Sequence, residues 1–322
     1  MTSTWRIPGW RVLGRIARGG TADLLLAEPD VSGDVTPAAL VLGLAQLHQR
    51  VVLKRLYPHL AAAEEFVRMF VDEVQLMTCM RSPHVVDVYD LDEDDDTFFA
   101  VMELVDGPSA SAALRLAQRR AVAGVDVDVV CAICARVARA LAVVHGAVSD
   151  DGAPVGLVHR DVSPQNVLLG RDGAVKLGDF GVALSTAGRK AGLLRAQDTG
   201  AGVLKGKVSF LSPEQVRGAV VDVRADFFAL GATAHALVTG HPPFRADTDV
   251  ATLDAILHAP PPALPSTLPA AFTALLDALL AKTPSDRPAD AAVVAAAFAA
   301  VCDDDRRVAD FVVGLGLPSL RA

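Results

Sequence analysis

One stretch concentrates the chemistry: His159-Arg160-Asp161-Val162-Ser163-Pro164-Gln165-Asn166. Asp161 and Asn166 stand five residues apart, between an arginine and the apolar run Val167-Leu168-Leu169, so one loop presents two oxygen ligands. Asp161 is suited to accept the proton of a hydroxyl nucleophile, and Asn166 to hold a magnesium ion. A second acidic motif, Asp179-Phe180-Gly181, directly follows Val175-Lys176-Leu177. A carboxylate at a strand end is a hard-cation ligand, and magnesium bridges phosphate oxygens. The second triplet alone is weak. Together, one hairpin apart, they point to phosphoryl transfer with Asp161 as base and Asn166 and Asp179 as metal ligands.

The elements that must hold these loops follow from periodicity. Trp10 to Ala27 reads as two strands around a Gly-rich turn, and Val51-Val52-Leu53-Lys54 as a short strand ending in lysine. Ala61 to Arg81 carries Phe66, Met69, Phe70, Val74 and Met77 at helical spacing. Val85 to Tyr89 and Thr97 to Met102 read as strands joined by an acidic turn, Asp92 to Asp96, expected as a solvated hairpin tip. The mixed segment from Glu28 to Arg50 reads as an extended loop. After Gly107 helical patterns dominate, at Ala110 to Arg120, Asp126 to His145 and beyond Lys207, broken by Pro242-Pro243 and Pro260 to Pro265. Short strands appear only at Val167 to Leu169 and Val175 to Leu177. A strand-rich first third thus meets a helix-rich remainder near Val105.

Composition sets bounds on the whole. The 322 residues suffice for two modest lobes, and hydrophobic residues make up 52% with only 5% aromatic, which favours Ala-rich helices over an all-β fold. A formal net charge of −8 argues against a nucleic-acid binder. Cys131 and Cys134 form a CxxC, but no second pair completes a zinc site, and their apolar helical context marks them as core thiols. Trp5, Arg6, Pro8 and Gly9 interrupt any signal-like opening, and no run reaches the ~20 apolar residues of a membrane span. A cytoplasmic location and no membrane span are the expectation.

At these motifs the chain resembles the eukaryotic-like Ser/Thr protein kinases of bacteria, from about Trp10 to about Cys302. The resemblance implies an α+β, bilobal protein-kinase-like fold. Residues 1–105 would form the N-lobe, a small antiparallel β-sheet with one main helix. Residues 106–302 would form a larger helical C-lobe, and 303–322 a short C-terminal tail. It implies ATP and Mg2+ as cofactors, protein Ser/Thr hydroxyls as acceptors, and autophosphorylation on the activation segment. Lys54 would grip the α- and β-phosphates and Glu73 would orient it. Met102, Glu103 and Val105 match the hinge that holds adenine, with Leu24, Val52 and Leu168 around the ring. Ala17, Arg18, Gly19 and Gly20 match the phosphate-covering loop. Ser212-Pro213-Glu214 with Arg287, and Asp226 in the helix after it, match structural anchors of the C-lobe. Arg160 would pair with an activation-segment phosphate, best placed at Thr199, with Ser185, Thr186 and Ser209 behind it.

The chain departs from that pattern in informative places. Ala17 and Ala22 replace two glycines of the loop, which predicts a stiffer lid. Val52 replaces an alanine above the adenine. Ser163 stands where a lysine steadies the γ-phosphate, and Lys207 stands where a threonine faces it. The two look exchanged, so Lys207 would deliver its charge from the opposite wall. These departures also suit a pseudokinase scaffold, but a scaffold has no use for Asp161, Asn166 and Asp179 together. A small-molecule phosphotransferase is disfavoured by the long activation segment. No sensor region is legible, so input is expected through a regulatory protein partner or a homodimer.

Overall fold

Alternating apolar residues in the first hundred positions close into one antiparallel sheet. In the computed structural model, which describes residues 5, 7–30, 49–94, 97–120, 124–148, 152–153, 155–179 and 207–321, five strands build it. They are β1 (Trp10–Arg18), β2 (Ala22–Pro29), β3 (Val51–Leu56), β4 (Val88–Glu93) and β5 (Phe98–Glu103), in the order β1-β2-β3-β5-β4. Ile7, Trp10, Leu25, Ala27, Val51, Leu53, Phe99 and Val101 form its core. The period of two then turns Lys54 away from that core, opposite Leu24 on one side and Ala100 on the other.

The helix expected from Ala61 to Arg81 is α2 (Glu64–Cys79), preceded by a separate short helix, α1 (Pro58–Ala61). Ala63 is extended between them, and Glu64 and Glu65 occupy the first turn of α2, where the helix dipole favours carboxylates. Phe70, Val74 and Met77 are buried along α2. Residues up to 81, with 86–104 and Arg321, form this first unit.

The second unit takes in 82–85 and 105–320. Its helices are α3 (Ala110–Arg119), α4 (Val127–His145), α5 (Pro213–Val216), α6 (Arg224–Thr239), α7 (Asp249–His258), α8 (Ala270–Leu279), α9 (Ala291–Ala299) and α10 (Asp305–Gly314). A hairpin, β6 (Val167–Leu169) and β7 (Val175–Leu177), falls where the apolar triplets predict. Asp126 caps α4, accepting from the Asp128 N–H. The alanines of α4 and α9 let the two helices pack closely. Cys131 and Cys134 are fully buried in α4, and burial pushes the Cys131 thiol up to about 12 and Cys134 upward as well. Both are inert core thiols.

The segment after Cys302 is anchored along its length. Arg136 of α4, 4% exposed, donates to Asp303 at 3.1 Å, to Asp305, and to the Ala132 carbonyl at 2.7 Å. Arg139 makes a bidentate pair with Asp303, at 3.1 and 2.5 Å. Arg120 donates to the carbonyls of Gly314 and Leu315, at 2.5 and 2.6 Å. No helix among the described residues is long and apolar enough to cross a membrane.

Candidate active site

In the first unit, β3 and α2 bring Lys54 and Glu73 together. The ammonium donates to Glu73 Oε1 at 2.9 Å, with side-chain exposures of 12% and 9%. A flexible lysine becomes a fixed point charge when a shielded carboxylate holds it.

The β1–β2 connection carries Arg18-Gly19-Gly20-Thr21. The Gly19 N–H donates to the Ala22 carbonyl at 2.8 Å, and a Cβ on Gly19 would stand only 3.1 Å from that oxygen. Ala17 pairs with Leu24 just after a register shift in the β1–β2 ladder, and Ala22 pairs with Leu56. Neither alanine has positive φ, so a Cβ costs no backbone strain at either place.

One residue here escaped sequence reasoning. The Tyr57 hydroxyl donates to the Gly19 carbonyl at 3.0 Å and accepts from Arg18 Nε at 3.2 Å, while the Tyr57 N–H donates to the Thr21 carbonyl at 2.9 Å. The Arg18 guanidinium also lies 5.5 Å from the centre of the Tyr57 ring. Tyr57 thus clasps the loop from the end of β3. The signal for it was its place three residues after Lys54, one strand away from the glycines.

Met102 is buried in β5 opposite Val52, and the Glu103 N–H is engaged by the Asp87 carbonyl at 2.9 Å. In the second unit, Val105 is buried and Leu168 sits in β6, bridged to Ser109.

The loop bearing Asp161 is held from behind by one carboxylate. Asp226, fully buried in α6, accepts the N–H groups of His159 and Arg160 at 2.8 Å each, and His145 Nε2 lies 2.8 Å from the same group. Arg160 has φ 64° and Asp179 φ 48°, left-handed conformations that non-glycine residues keep only when surroundings enforce them. Gln215 Nε2 holds the Arg160 carbonyl at 3.0 Å. Burial pushes the His159 imidazole below its usual range, so it stays neutral in the core.

Asn166 ties the two motifs together. Its Nδ2 donates to the Asp161 carbonyl at 2.8 Å and lies 3.5 Å from the Asp179 carbonyl, while the Gly178 N–H donates to the Asn166 carbonyl at 2.9 Å. With the amide nitrogen engaged, Oδ1 is the end left for a cation. Asn166 and Asp179 offer an oxygen-only donor set, and no group of three or more His, Cys, Asp or Glu suited to a metal occurs among the described residues. That donor count fits magnesium, which takes one or two protein oxygens and completes its shell with phosphate and water.

The anchors also meet. Arg287 pairs bidentately with Glu214, at 2.6 and 2.9 Å, with both side chains buried. Ser212 caps α5 with a reciprocal Gln215 bond. Ser163 is 2% exposed, and its Oγ has no hydrogen-bond partner among the described residues. Lys207 opens the 3-10 turn Lys207–Phe210, but its side chain lies outside what is described. Phe180, Gly181, Ser185, Thr186, Thr199 and Lys205 also lie outside the described residues; Ser209 is described and buried.

A family profile described as protein kinase domain matches residues 39–299. The chain is 36% identical over 243 residues to tyrosine-protein kinase MasK of Myxococcus xanthus (strain DK1622), covering 76% of this chain and 34% of that protein. It is 34% identical over 228 residues to serine/threonine-protein kinase PknL of Mycobacterium tuberculosis (strain CDC 1551 / Oshkosh), covering 67% and 52%. It is 30% identical over 263 residues to serine/threonine-protein kinase PrkC of Bacillus subtilis (strain 168), covering 80% and 35%. The chain spans about a third to a half of the length of these relatives. Among solved structures, a double-mutant kinase domain of Mycobacterium tuberculosis PknI is 27% identical, with TM-score 0.64, covering 94% of this chain and 99% of that one.

Proposed function

The chain belongs to the protein kinase domain family, and we propose that it transfers the γ-phosphoryl group of ATP to Ser or Thr hydroxyls of proteins. The observation that carries this reading is the Asn166 amide locked onto the Asp161 carbonyl beside Asp179. Asp161 accepts the proton of the attacking hydroxyl as its oxygen bonds to the γ-phosphorus and the bond to the β-phosphate oxygen breaks, releasing ADP. Asn166 and Asp179 would hold magnesium, which neutralises phosphate charge when bound. Lys54, oriented by Glu73, holds the α- and β-phosphates, and the Arg18–Gly20 backbone covers them. Catalysis on this reading is positioning and charge neutralisation. A scaffold without transfer would have no use for Asp161, Asn166 and Asp179 together.

Ser163 and Lys207 belong to the same proposal. The buried Ser163 hydroxyl is too short to reach a phosphate as a lysine would, and Lys207 supplies the missing charge. Lys207→Thr then lowers activity far more than Lys205→Thr, and Ser163→Lys partly restores it in a double-mutant cycle. Autophosphorylation between Ser185 and Ser209 is also proposed, with Arg160 as the receiving cation. Its Nε is buried without a hydrogen-bond partner among the described residues, which supports that role. Input would come through a regulatory protein or a second copy, in a reducing cytoplasm that suits the free thiols.

The test is transfer from labelled ATP to the protein itself and to a generic protein substrate, with Asp161→Asn as control and phosphoamino-acid analysis of the product. Label on serine or threonine that disappears in Asp161→Asn is expected. Label confined to tyrosine would move the acceptor class toward that in MasK's name. Transfer by Asp161→Asn at the wild-type rate would remove Asp161 from its role.

A further inference from the structure

Asp106, one residue after Val105, accepts two hydrogen bonds from the far end of the chain. Ser319 Oγ donates to its Oδ2 and the Leu320 N–H to its Oδ1, each at 2.7 Å. Other bonds hold the same short stretch to the hairpin. The Arg171 N–H donates to the Asp106 carbonyl at 3.0 Å, and the Leu169 N–H to the Pro108 carbonyl at 2.9 Å. Gly107 closes a tight turn onto the Val105 carbonyl at 2.9 Å. No side chain fits at Gly107, since a Cβ would meet the Leu169 carbonyl at 2.0 Å. The Arg171 guanidinium joins the two sets by donating to the Leu317 carbonyl at 2.7 Å.

We propose that residues 317–320 are a strap that sets the Val105 backbone for the nucleotide, with Asp106 and Ser319 as positioning residues. The proposal rests on the kinase reading, which gives Val105 the adenine edge. Polar contacts, more than packing, fix the strap. A cavity of about 160 Å³, lined by Gly107, Pro108, Val312, Leu317 and Leu320, lies against it, so dispersion contact there is incomplete. Two charge-assisted bonds to one carboxylate define both position and direction. Losing either leaves Asp106 a single side-chain bond to the strap, and the orientation of its neighbour Val105 loosens with it.

The test is steady-state kinetics with ATP varied, on wild type, Ser319→Ala, Ser319→Thr, Asp106→Ala and Arg307→Ala. Ser319→Ala and Asp106→Ala should raise KM for ATP roughly three- to tenfold, a part of what a hydrogen bond to a charged group is worth, since the loss reaches Val105 only through Asp106, with kcat changed less than about twofold. Ser319→Thr keeps the hydroxyl and stays near wild type. Arg307→Ala breaks a 3.0 Å pair with Asp128 elsewhere on the same segment and leaves KM unchanged. If Asp106→Ala does not fold, Ser319→Ala decides. Active wild type with KM unmoved in Ser319→Ala, or all variants losing kcat in step with their melting temperature, overturns the strap alone. A wild type that neither binds ATP nor transfers phosphate overturns both readings.

Discussion

Replacing Asp226 by asparagine isolates what one buried carboxylate does for the catalytic loop. Its two oxygens take the His159 and Arg160 N–H groups, and His145 Nε2 lies beside Oδ2, all at 2.8 Å. Asparagine has the same shape but one acceptor oxygen. With that oxygen toward His159, the NH2 group faces the Arg160 N–H; with the amide flipped, it faces the His159 N–H. Either way one backbone donor at a fully buried site loses its acceptor, which costs about 1–3 kcal/mol. The surviving bonds lose their charge assistance, roughly half their strength, so the total is about 3 kcal/mol. Arg160 adds a functional consequence. Its φ of 64° costs a non-glycine residue about 1–2 kcal/mol, and the bond to Asp226 opposes its relaxation. Once relaxed, Arg160 carries Asp161 with it. Urea unfolding followed by circular dichroism should show the stability loss, and phosphotransfer well below the midpoint should fall by about tenfold or more, the equivalent of one displaced hydrogen bond. A loss under about 0.5 kcal/mol, the scale of a surface change, with near wild-type turnover would refute the reasoning.

Arg287→Leu leaves the buried Glu214 carboxylate without its bidentate partner and should cost about 3–5 kcal/mol, while Glu214→Gln with Arg287→Leu recovers part of it; urea midpoints check both. His84, His159 and His235 are all held below the ordinary imidazole value of 6.5 by burial, so the unfolded chain binds more protons than the folded one as pH falls. Stability is therefore fully present above pH 6.5 and declines on acidification below it, and urea midpoints that stay level from about pH 7 to pH 5 would contradict this. Tyr57→Phe releases the Gly19 carbonyl from its clasp and should raise amide exchange at residues 18–21 with little change in melting temperature, read by hydrogen–deuterium exchange.

Much of the fold was legible because local pattern and tertiary role agree. The triplets at Val167 and Val175 become strands at the expected residues, β7 buried along its whole length and β6 at both ends. The Lys54–Glu73 and Glu214–Arg287 pairs were readable from family motifs, as was the Asp226 brace. Disagreement arose where a partner lies far along the chain. Val85 and Val86 look like the start of a strand, but Val85 bridges to Leu177, and β4 starts only at Val88 and runs on through acidic residues. The hairpin tip was expected to be solvated. Instead Asp94, its side chain 5% exposed, pairs with Arg55 at 2.7 and 3.1 Å. Tyr57 left only its position after Lys54 as a sign, and the Asp106–Ser319 contact left none, because a single hydroxyl has no periodicity.

Arg136 has a consequence for where this protein can be divided. The carboxylates that match it, Asp303 and Asp305, lie beyond residue 299, where the kinase-domain match stops. A chain cut at that point strips Arg136 of the two carboxylates and uncovers it, a loss of up to about 1 kcal/mol for each of these partly exposed pairs. Net stabilities of domains are only about 5–15 kcal/mol, so such a fragment would melt earlier than the longer chain. The inherited module ends near Ala299, while the cooperative folding module extends at least through Asp305.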